Sequence, residues 1–261
     1  MSYTGQLSNS IAGKEDRILR ANFAKEWKHG FQHNIPIQAN FTLFNYINLN
    51  PSFNFTDRMY TNKIMRSWDN VHSQEKRDTI AGFYNIYNWS LNLAASTKLY
   101  GFWIPNKKIF GNKIQAIRHV ITPQITLSYS PNFGAPRYGY YASYQYTDAS
   151  GNVKLVDYSP FQEAMYGVPG KTKTEMITWD VSNNIEMKIR SDKDSTGYKK
   201  LSIIDELGAS MSYNAATDWH RWSDLSVRLR LKWWKNYTFS MNAQFARSEE
   251  RRVGKECLRL C

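Results

Sequence analysis

The sequence predicts an all-β fold, namely an antiparallel transmembrane β-barrel that the chain covers incompletely, with about nine long strands plus a hairpin in one loop. Three observations lead to this prediction. Apolar and polar residues alternate over long stretches, which is the period of a β-strand. Aromatic residues make up 15% of the 261 residues. No apolar run approaches the ~20 residues that a membrane-spanning helix needs.

The first half of the chain begins with an alternating segment at Met1–Ile11 and continues with four further alternating segments. In each of them the odd-numbered positions are mostly apolar and the even-numbered positions are mostly Asn, Gln, Ser or Thr. The four segments are residues 31–43, 47–56, 87–99 and 119–130. Less regular sequence, with room for a helical turn, occupies residues 12–30 and 104–118.

The second half repeats the alternation in residues 177–189, 201–213, 225–233 and 237–245. Strands of about 10 to 17 residues are longer than the ~5 to 6 residues that are usual in globular proteins. The predicted links alternate in length. Short turns are expected at 44–46, 192–197 and 235–236, and long loops at 61–82 and 131–173. Within the second loop, a Tyr-rich hairpin is expected to turn at 149–152.

A soluble β-sandwich also alternates, because one face of each sheet meets water. The barrel is favoured because the polar face is rich in amides and hydroxyls, as a hydrated lumen needs, and because aromatic residues lie near strand ends, where they meet the lipid interface. The expected interface aromatics are Phe44, Tyr46, Tyr60, Tyr87, Trp103, Trp233 and Tyr237. The odd-numbered side chains of 87–99, 177–189 and 225–233 are therefore expected to face lipid.

Catalytic and cofactor motifs are missing from the sequence. Residues 167–174 resemble a phosphate-binding loop, but Met165 stands where that motif requires its first Gly. The five His residues show no metal-ligand spacing, and Cys257 and Cys261 form a C-x3-C pair without a nearby His. We therefore expect no enzymatic activity, no cofactor and no metal.

Basic residues form a ladder on the polar face of the predicted strand 225–233, at Arg228, Arg230 and Lys232. Further cations on polar faces are Lys188, Arg190 and Lys98. The net charge of +12 suits an anionic partner, such as nucleic acid, a phosphorylated lipid or an acidic surface. Two interpretations stay open for the ladder: contact with a phosphorylated ligand, or a structural network of ion pairs with Asp180, Glu186 and Asp224.

The domain organisation predicted is a partial barrel over residues 1–246, followed by a tail over 247–261. The alternation stops after Phe245, and the sequence RSEERRVGKECLRLC resembles a spurious extension, so we expect the tail to be non-native. No signal peptide is recognisable after Met1.

Several segments together resemble the barrel of the outer-membrane lipopolysaccharide-assembly protein family LptD, also called OstA-like. They are IPIQANFTLFNYINLNPSFNFTDRMYTNK (35–63), KLYGFWIP (98–105), KIQAIRHVITPQITLSYSPNFG (113–134), YGVPGK (166–171) and NNIEMKIRSDKDSTGYKKLSIIDELGASMSYN (183–214). The resemblance implies a barrel in the outer membrane of Gram-negative type. It also implies that this barrel takes lipopolysaccharide from a periplasmic bridge and releases it into the outer leaflet.

The same resemblance implies as partners lipopolysaccharide, outer-membrane lipids, a plug lipoprotein of LptE type and the periplasmic Lpt bridge, and no nucleic acid. The family's jellyroll domain and many of its about twenty-six strands have no counterpart here, so we expect an internal fragment of a divergent branch. Two alternatives remain: a porin-like or other outer-membrane transport barrel, and a soluble β-sandwich binding module.

Overall fold

The computed structural model of the chain describes residues 2–11, 27–106, 111, 113–148, 150–191, 197–232 and 237–246. The predicted tail 247–261, the turn 235–236 and most of the turn 192–197 lie outside these residues. Thirteen strands and a short 3₁₀ turn at Pro136–Tyr138 are present in the described part. Within it, no helix combines the length and the apolar character that a membrane crossing requires.

The strands take up most of the described residues. They are β1 (Thr4–Ser10), β2 (Lys28–Gln38), β3 (Phe41–Leu43), β4 (Ile47–Asp69), β5 (Gln74–Thr97), β6 (Leu99–Trp103), β7 (Ile114–Ser130), β8 (Ala142–Thr147), β9 (Val153–Tyr158), β10 (Thr174–Arg190), β11 (Tyr198–Asn214), β12 (Leu225–Lys232) and β13 (Thr238–Phe245). The prediction of an all-β chain with long strands is confirmed.

Eleven strands form one antiparallel sheet. Its order is β1-β2-β4-β5-β7-β10-β11-β12-β13, with β3 beside β4 and β6 beside β7, while β8 and β9 form a separate hairpin. Neighbours in the sheet are therefore mostly neighbours along the chain, as in a meander. In the described residues β1 and β13 are the two edges and the sheet is not closed, so closure into a barrel stays a prediction.

The predicted long loop at 61–82 is wrong. Strand β4 continues to Asp69 and β5 already begins at Gln74, so that the two strands are joined by only four residues. Charged residues occur on both faces of this region, for example Arg58, Lys63 and Arg66, and they hide the period of two. Backbone pairing extends both strands through this region, although the alternation of apolar and polar residues does not predict it.

The predicted turns at 44–46 and around 149–152 are confirmed where the structure describes them. Phe44 and Asn45 both have positive φ (51° and 63°), as the two central residues of a type I′ turn do, and the Tyr46 amide donates to the Leu43 carbonyl at 3.1 Å. The hairpin of β8 and β9 turns over Asp148, whose carboxylate accepts the backbone amide of Asn152 at 2.9 Å. This hydrogen bond holds the pKa of Asp148 below its usual value.

The described chain forms two compact units. Unit 1 consists of Met1–Ala39, Pro51–Asn92 and Tyr129–Thr174, and unit 2 consists of Asn40–Asn50, Leu93–Ser128 and the residues from Glu175 onward. Strands β4, β5 and β7 each contribute to both units.

The buried core of unit 1 corrects one prediction. It consists of Tyr60, Ile86, Phe133, Tyr140 and Phe161. Tyr60 was expected at a lipid interface, but only 1% of it is exposed, and its hydroxyl donates to the carbonyl of Gly167 at 2.8 Å. The reason is that residues of the 131–173 segment cover the face of β4 to which Tyr60 belongs.

Replacing Ile86 by Ala is expected to loosen the 131–173 segment. Ile86 is 1% exposed, and shortening a buried Ile to Ala costs about 2 to 5 kcal/mol. In the full-length protein, limited proteolysis should cut within 131–173 faster in Ile86→Ala than in the wild type. Ile80→Ala is the matched control, since Ile80 lies on the same strand and is 43% exposed. Equal cleavage rates in the two variants would contradict the packing described here.

Candidate functional site

The polar residues of β10, β11 and β12 lie on one face of unit 2, because the strand register brings them side by side. Asp180 on β10 is opposite Ser210 on β11, which is opposite Ser226 on β12. Arg228 is opposite Gly208 on β11 and Asn242 on β13. Residues directly opposite in antiparallel strands share a face. The even-numbered residues of these strands therefore form a continuous polar face.

The odd-numbered residues form the other face, which is apolar. Val181 is opposite Ala209, which is opposite Val227, and Val227 is opposite Ala243. One row further along, Leu207, Leu229 and Met241 follow one another across three strands. Large apolar side chains on this face are exposed, including Val181, Leu207, Leu225, Phe239 and Met241.

An irregularity in the pairing of β10 with β11 brings two acidic residues to one Arg. The register shifts between the pair Asn183–Leu207 and the pair Ile185–Ile204, which leaves an extra residue on β11 in this interval. Such a bulge turns consecutive side chains toward the same neighbour. As a result, Asp205 and Glu206 both pair with Arg230 on β12, at 2.6 and 3.3 Å.

Ion pairs link the polar side chains of these strands into a lattice, which we call the polar-face lattice. Arg228 Nη2 lies 2.7 Å from Asp180 Oδ2, and Arg228 Nε lies 3.4 Å from Glu206 Oε1. Glu206 is thus shared between Arg228 and Arg230. On β7 and β10, Arg118 pairs with Glu186 at 2.5 Å. The lattice crosses strand boundaries with charge-assisted hydrogen bonds, which are stronger than neutral ones.

Gly208 provides the space that the Arg228 side chain uses. A Cβ atom at this position would lie 3.0 Å from Arg228 Nη2 and 3.2 Å from its Nε. The guanidinium therefore passes directly over the backbone of β11 on its way from β12 to Asp180 on β10. A larger residue at position 208 would require the guanidinium to shift by a few tenths of an ångström.

The structural interpretation of the basic ladder is supported for two of its three members. Arg228 and Arg230 are both paired, and Asp180 is a partner as expected. Glu186 pairs with Arg118 instead, and in the described residues no ion pair joins Asp224 to the ladder. Sequence reasoning missed Asp205, Glu206 and Arg118.

The other predicted cations have different surroundings. Lys188 Nζ lies 4.1 Å above the ring of Tyr198, and the backbone amide of Arg190 donates to the carbonyl of Lys113 at 2.8 Å. Lys98 and Lys232 are exposed. Lys232 is opposite Thr238 on β13. Of this set, Arg228 and Arg230 are paired with carboxylates, whereas Lys98 and Lys232 are exposed.

The polar-face lattice contains one more anion than cation. Its cations are Arg118, Arg228 and Arg230, and its anions are Asp180, Glu186, Asp205 and Glu206. Both ladder arginines are thus already paired with carboxylates. Among the described residues, no group of three or more His, Cys, Asp or Glu is arranged to hold a metal ion.

The expected interface aromatics, apart from Tyr60, are exposed where the structure describes them. Phe44 and Tyr46 belong to the turn before β4, Trp103 ends β6, and Tyr237 precedes β13. Tyr87 is partly covered by Phe55, with ring centroids 6.0 Å apart. Trp233 lies outside the described residues. Their contact with lipid stays a prediction.

A further aromatic cluster was not predicted. The rings of Trp179 on β10 and Trp222 are stacked with centroids 5.4 Å apart, and Tyr213 on β11 meets Trp222 edge-on at 4.9 Å. Trp179 belongs to the apolar odd-numbered face. The alternation indicated Trp179 and Tyr213 as apolar-face residues, but it contained no information on Trp222, which follows a turn.

Comparison with known proteins assigns this all-β chain to a family. A family model described as LptD protein matches residues 1–247. The chain belongs to the LptD family. LptD proteins are outer-membrane proteins of lipopolysaccharide transport and assembly, which gives the protein's function at that coarse level. No curated protein and no solved structure shows a significant match to the chain.

Removing the Arg228–Asp180 pair of this LptD protein is expected to give a small but measurable coupling energy. The Arg228 side chain is 37% exposed, and ion pairs with this degree of exposure contribute about 1 kcal/mol or less. A double-mutant cycle of Arg228→Gln and Asp180→Asn, measured by urea unfolding of the full-length protein in detergent, should show this coupling. The cycle of Lys232→Gln and Asp180→Asn should show none. Equal coupling energies in both cycles would contradict the assigned pairing.

Proposed function

We propose that the protein is part of an outer-membrane β-barrel that inserts lipopolysaccharide into the outer leaflet, with the polar face toward a hydrated lumen and the apolar face toward lipid. The single observation that carries this proposal is the register of β10–β13, which separates polar and apolar side chains over four adjoining strands. The family membership supports the same substrate and the same membrane.

The apolar face suits a hydrocarbon surrounding better than water. Strands β7, β10 and β11 have 17 residues each, more than the ~9 to 11 needed to cross a bilayer. From Ile177 to Ile189 no odd-numbered residue of β10 is charged, and none is charged on β12. A large apolar patch on a protein surface usually marks a site where a partner or a membrane covers it. The lipid bilayer is the cover that this proposal assigns.

The polar face suits transport rather than catalysis. A hydrated lumen accepts paired charges at modest cost, since water remains beside them. We propose that Arg228 and Arg230 join neighbouring strands through the polar-face lattice, and that exposed lysines such as Lys98 and Lys232 contact the phosphate groups of the lipid. As partners we propose a plug lipoprotein of LptE type and the periplasmic Lpt bridge, and we propose no enzymatic activity.

Arginine substitutions should distinguish the two faces. Val181→Arg and Leu229→Arg place a charge in hydrocarbon and should each destabilise the folded barrel by about 2 to 4 kcal/mol near the membrane midplane. Ser182→Arg and Ser226→Arg place the same charge on the polar face and should cost much less. Heat-modifiability and urea unfolding of the full-length protein measure the difference. Equal costs on both faces would refute the proposed orientation.

The transport function is tested by replacing the basic ladder. The triple variant Arg228→Gln, Arg230→Gln, Lys232→Gln should lower the amount of folded barrel, because Asp180, Asp205 and Glu206 lose their partners. Lys232→Gln alone should keep the barrel level and slow the appearance of lipopolysaccharide on the cell surface. Both quantities are measured in the same cells.

Depletion of the protein provides the decisive control for this experiment. The surface lipopolysaccharide should fall, and large apolar antibiotics should enter the cells more easily. Unchanged surface lipopolysaccharide after depletion would overturn the proposed function. Ion conductance without any effect on lipopolysaccharide would instead favour a porin-like barrel.

A further inference from the structure

We propose that residues 131–173, the segment between β7 and β10, are a resident stopper that closes the polar face of unit 1 and is held there by a latch at Glu163. The inference rests on the proposed transport function, because it treats the polar face as the wall of the passage. It concerns a part of the chain that the polar-face lattice does not include.

Residues 131–173 cover the polar face of β2, β4 and β5. Gly30 on β2 is opposite Tyr60 on β4, and Gln32 is opposite Arg58 in the next row of the same face. Arg58 in turn donates to Asn88 on β5 at 2.5 Å. Tyr60 and Ile86 therefore belong to the polar face of unit 1, yet both are 1% exposed. Residues of the 131–173 segment exclude water from this part of the face.

Aromatic packing holds the centre of the segment. The Phe161 ring is stacked on Tyr60 with centroids 5.9 Å apart, and Phe133 and Tyr140 complete the buried cluster. The Tyr140 hydroxyl donates to the carbonyl of Tyr87 at 3.1 Å and accepts its amide at 2.9 Å. Burial raises the pKa of Tyr140 because the charged form would lose its hydration. This cluster contains most of the buried apolar side chains in the described residues.

Backbone and side-chain contacts extend the attachment over four strands. The Ile64 amide on β4 donates to the Pro160 carbonyl at 2.9 Å. Tyr166 donates to the Gln6 carbonyl on β1 at 3.0 Å. A Cβ atom at Gly30 on β2 would lie 2.9 Å from Met165 Cβ, so only Gly allows this close approach.

Glu163 is the electrostatic centre of the attachment. Its Oε1 lies 2.8 Å from Arg66 Nη2 on β4 and 3.1 Å from Arg77 Nη1 on β5. Its Oε2 lies 3.8 Å from Lys28 Nζ on β2. Glu75 is the other carboxylate of the cluster, 2.6 Å from Arg77 and 3.7 Å from Arg66. Without the Glu163 charge, Lys28 would lose this carboxylate partner, and Arg66 and Arg77 would share Glu75 alone.

The contacts described above belong to the latched state, and the proposal adds a released state of the same segment. In the latched state the segment covers the polar face, and in the released state the face is open to water and to a passing lipid. Aromatic packing determines where the segment binds, and the Glu163 ion pairs raise the population of the latched state. A change at Glu163 should therefore open the passage without removing the hydrophobic contacts.

The test uses the full-length protein with its partners in planar bilayers. Glu163→Gln keeps the size of the side chain and removes its charge, and channel openings should become about tenfold more frequent, since hydrogen bonds to charged groups contribute on that scale. Asp157→Asn is the matched control. Asp157 pairs with Lys171 inside the segment, at 3.4 Å, and its neutralisation should leave the opening frequency unchanged.

A disulfide lock separates opening from misfolding. Ile64→Cys with Pro160→Cys joins β4 to the segment, where the Ile64 amide donates to the Pro160 carbonyl at 2.9 Å. Oxidation of this pair should return the Glu163→Gln protein to the wild-type opening frequency, and reduction should restore the openings. If Glu163→Gln does not fold, the cysteine pair in the otherwise unchanged protein still tests the stopper, because its opening frequency can be compared in the oxidised and the reduced form. Equal opening frequency in the oxidised and the reduced protein would overturn the stopper.

The outcomes also distinguish this inference from the proposed function. If the protein does not export lipopolysaccharide, its depletion leaves surface lipopolysaccharide unchanged while the cysteine lock still controls conductance. If the stopper is wrong, neither Glu163→Gln nor the lock changes conductance, while depletion still reduces surface lipopolysaccharide.

Discussion

The register of the β10–β13 strands is the constraint on which the organisation of the candidate site depends. Side chains alternate between the two faces of a strand, so a shift by one residue would exchange the faces. Arg228 and Arg230 would then stand among Val181, Leu207 and Met241. The observed register is stabilised from both sides. Apolar rows of matching residues run along one face, and ion pairs that need one specific neighbour, such as Arg228 with Asp180, run along the other.

Ion pairing on the polar face reduces the number of cations without a carboxylate partner below the number that the basic sequence suggests. Three cations on one short strand suggest a binding site for phosphate. In the structure, Arg228 and Arg230 have carboxylate partners. The bulge in β11 gives Arg230 two of them, Asp205 and Glu206. A ligand would compete with these carboxylates for Arg228 and Arg230, whereas Lys98 and Lys232 are exposed. The net positive charge of the chain is thus no measure of how many cations are available on a given face.

The 131–173 segment depends on the same separation of faces. It packs where the polar face of unit 1 carries Tyr60 and Ile86, two large side chains that would otherwise stand among amides and arginines. Small size at Gly30 and a concentration of opposite charges around Glu163 complete a surface that fits this segment. The fold therefore combines a paired lattice in unit 2 with a covered face in unit 1.

The sequence by itself determined the strand period, the all-β class, the turn at Phe44–Asn45, the β8–β9 hairpin and the resemblance to the LptD family, because these follow from local patterns. Only the tertiary structure decided the partners of Arg228 and Arg230, the burial of Tyr60 and the continuation of β4 and β5 through the predicted loop 61–82. Partners of an arginine depend on the strand that lies beside it and on bulges such as that at Asp205, which alternation does not encode. Tyr60 is buried by residues about a hundred positions later in the chain, and no local pattern around it contains that contact.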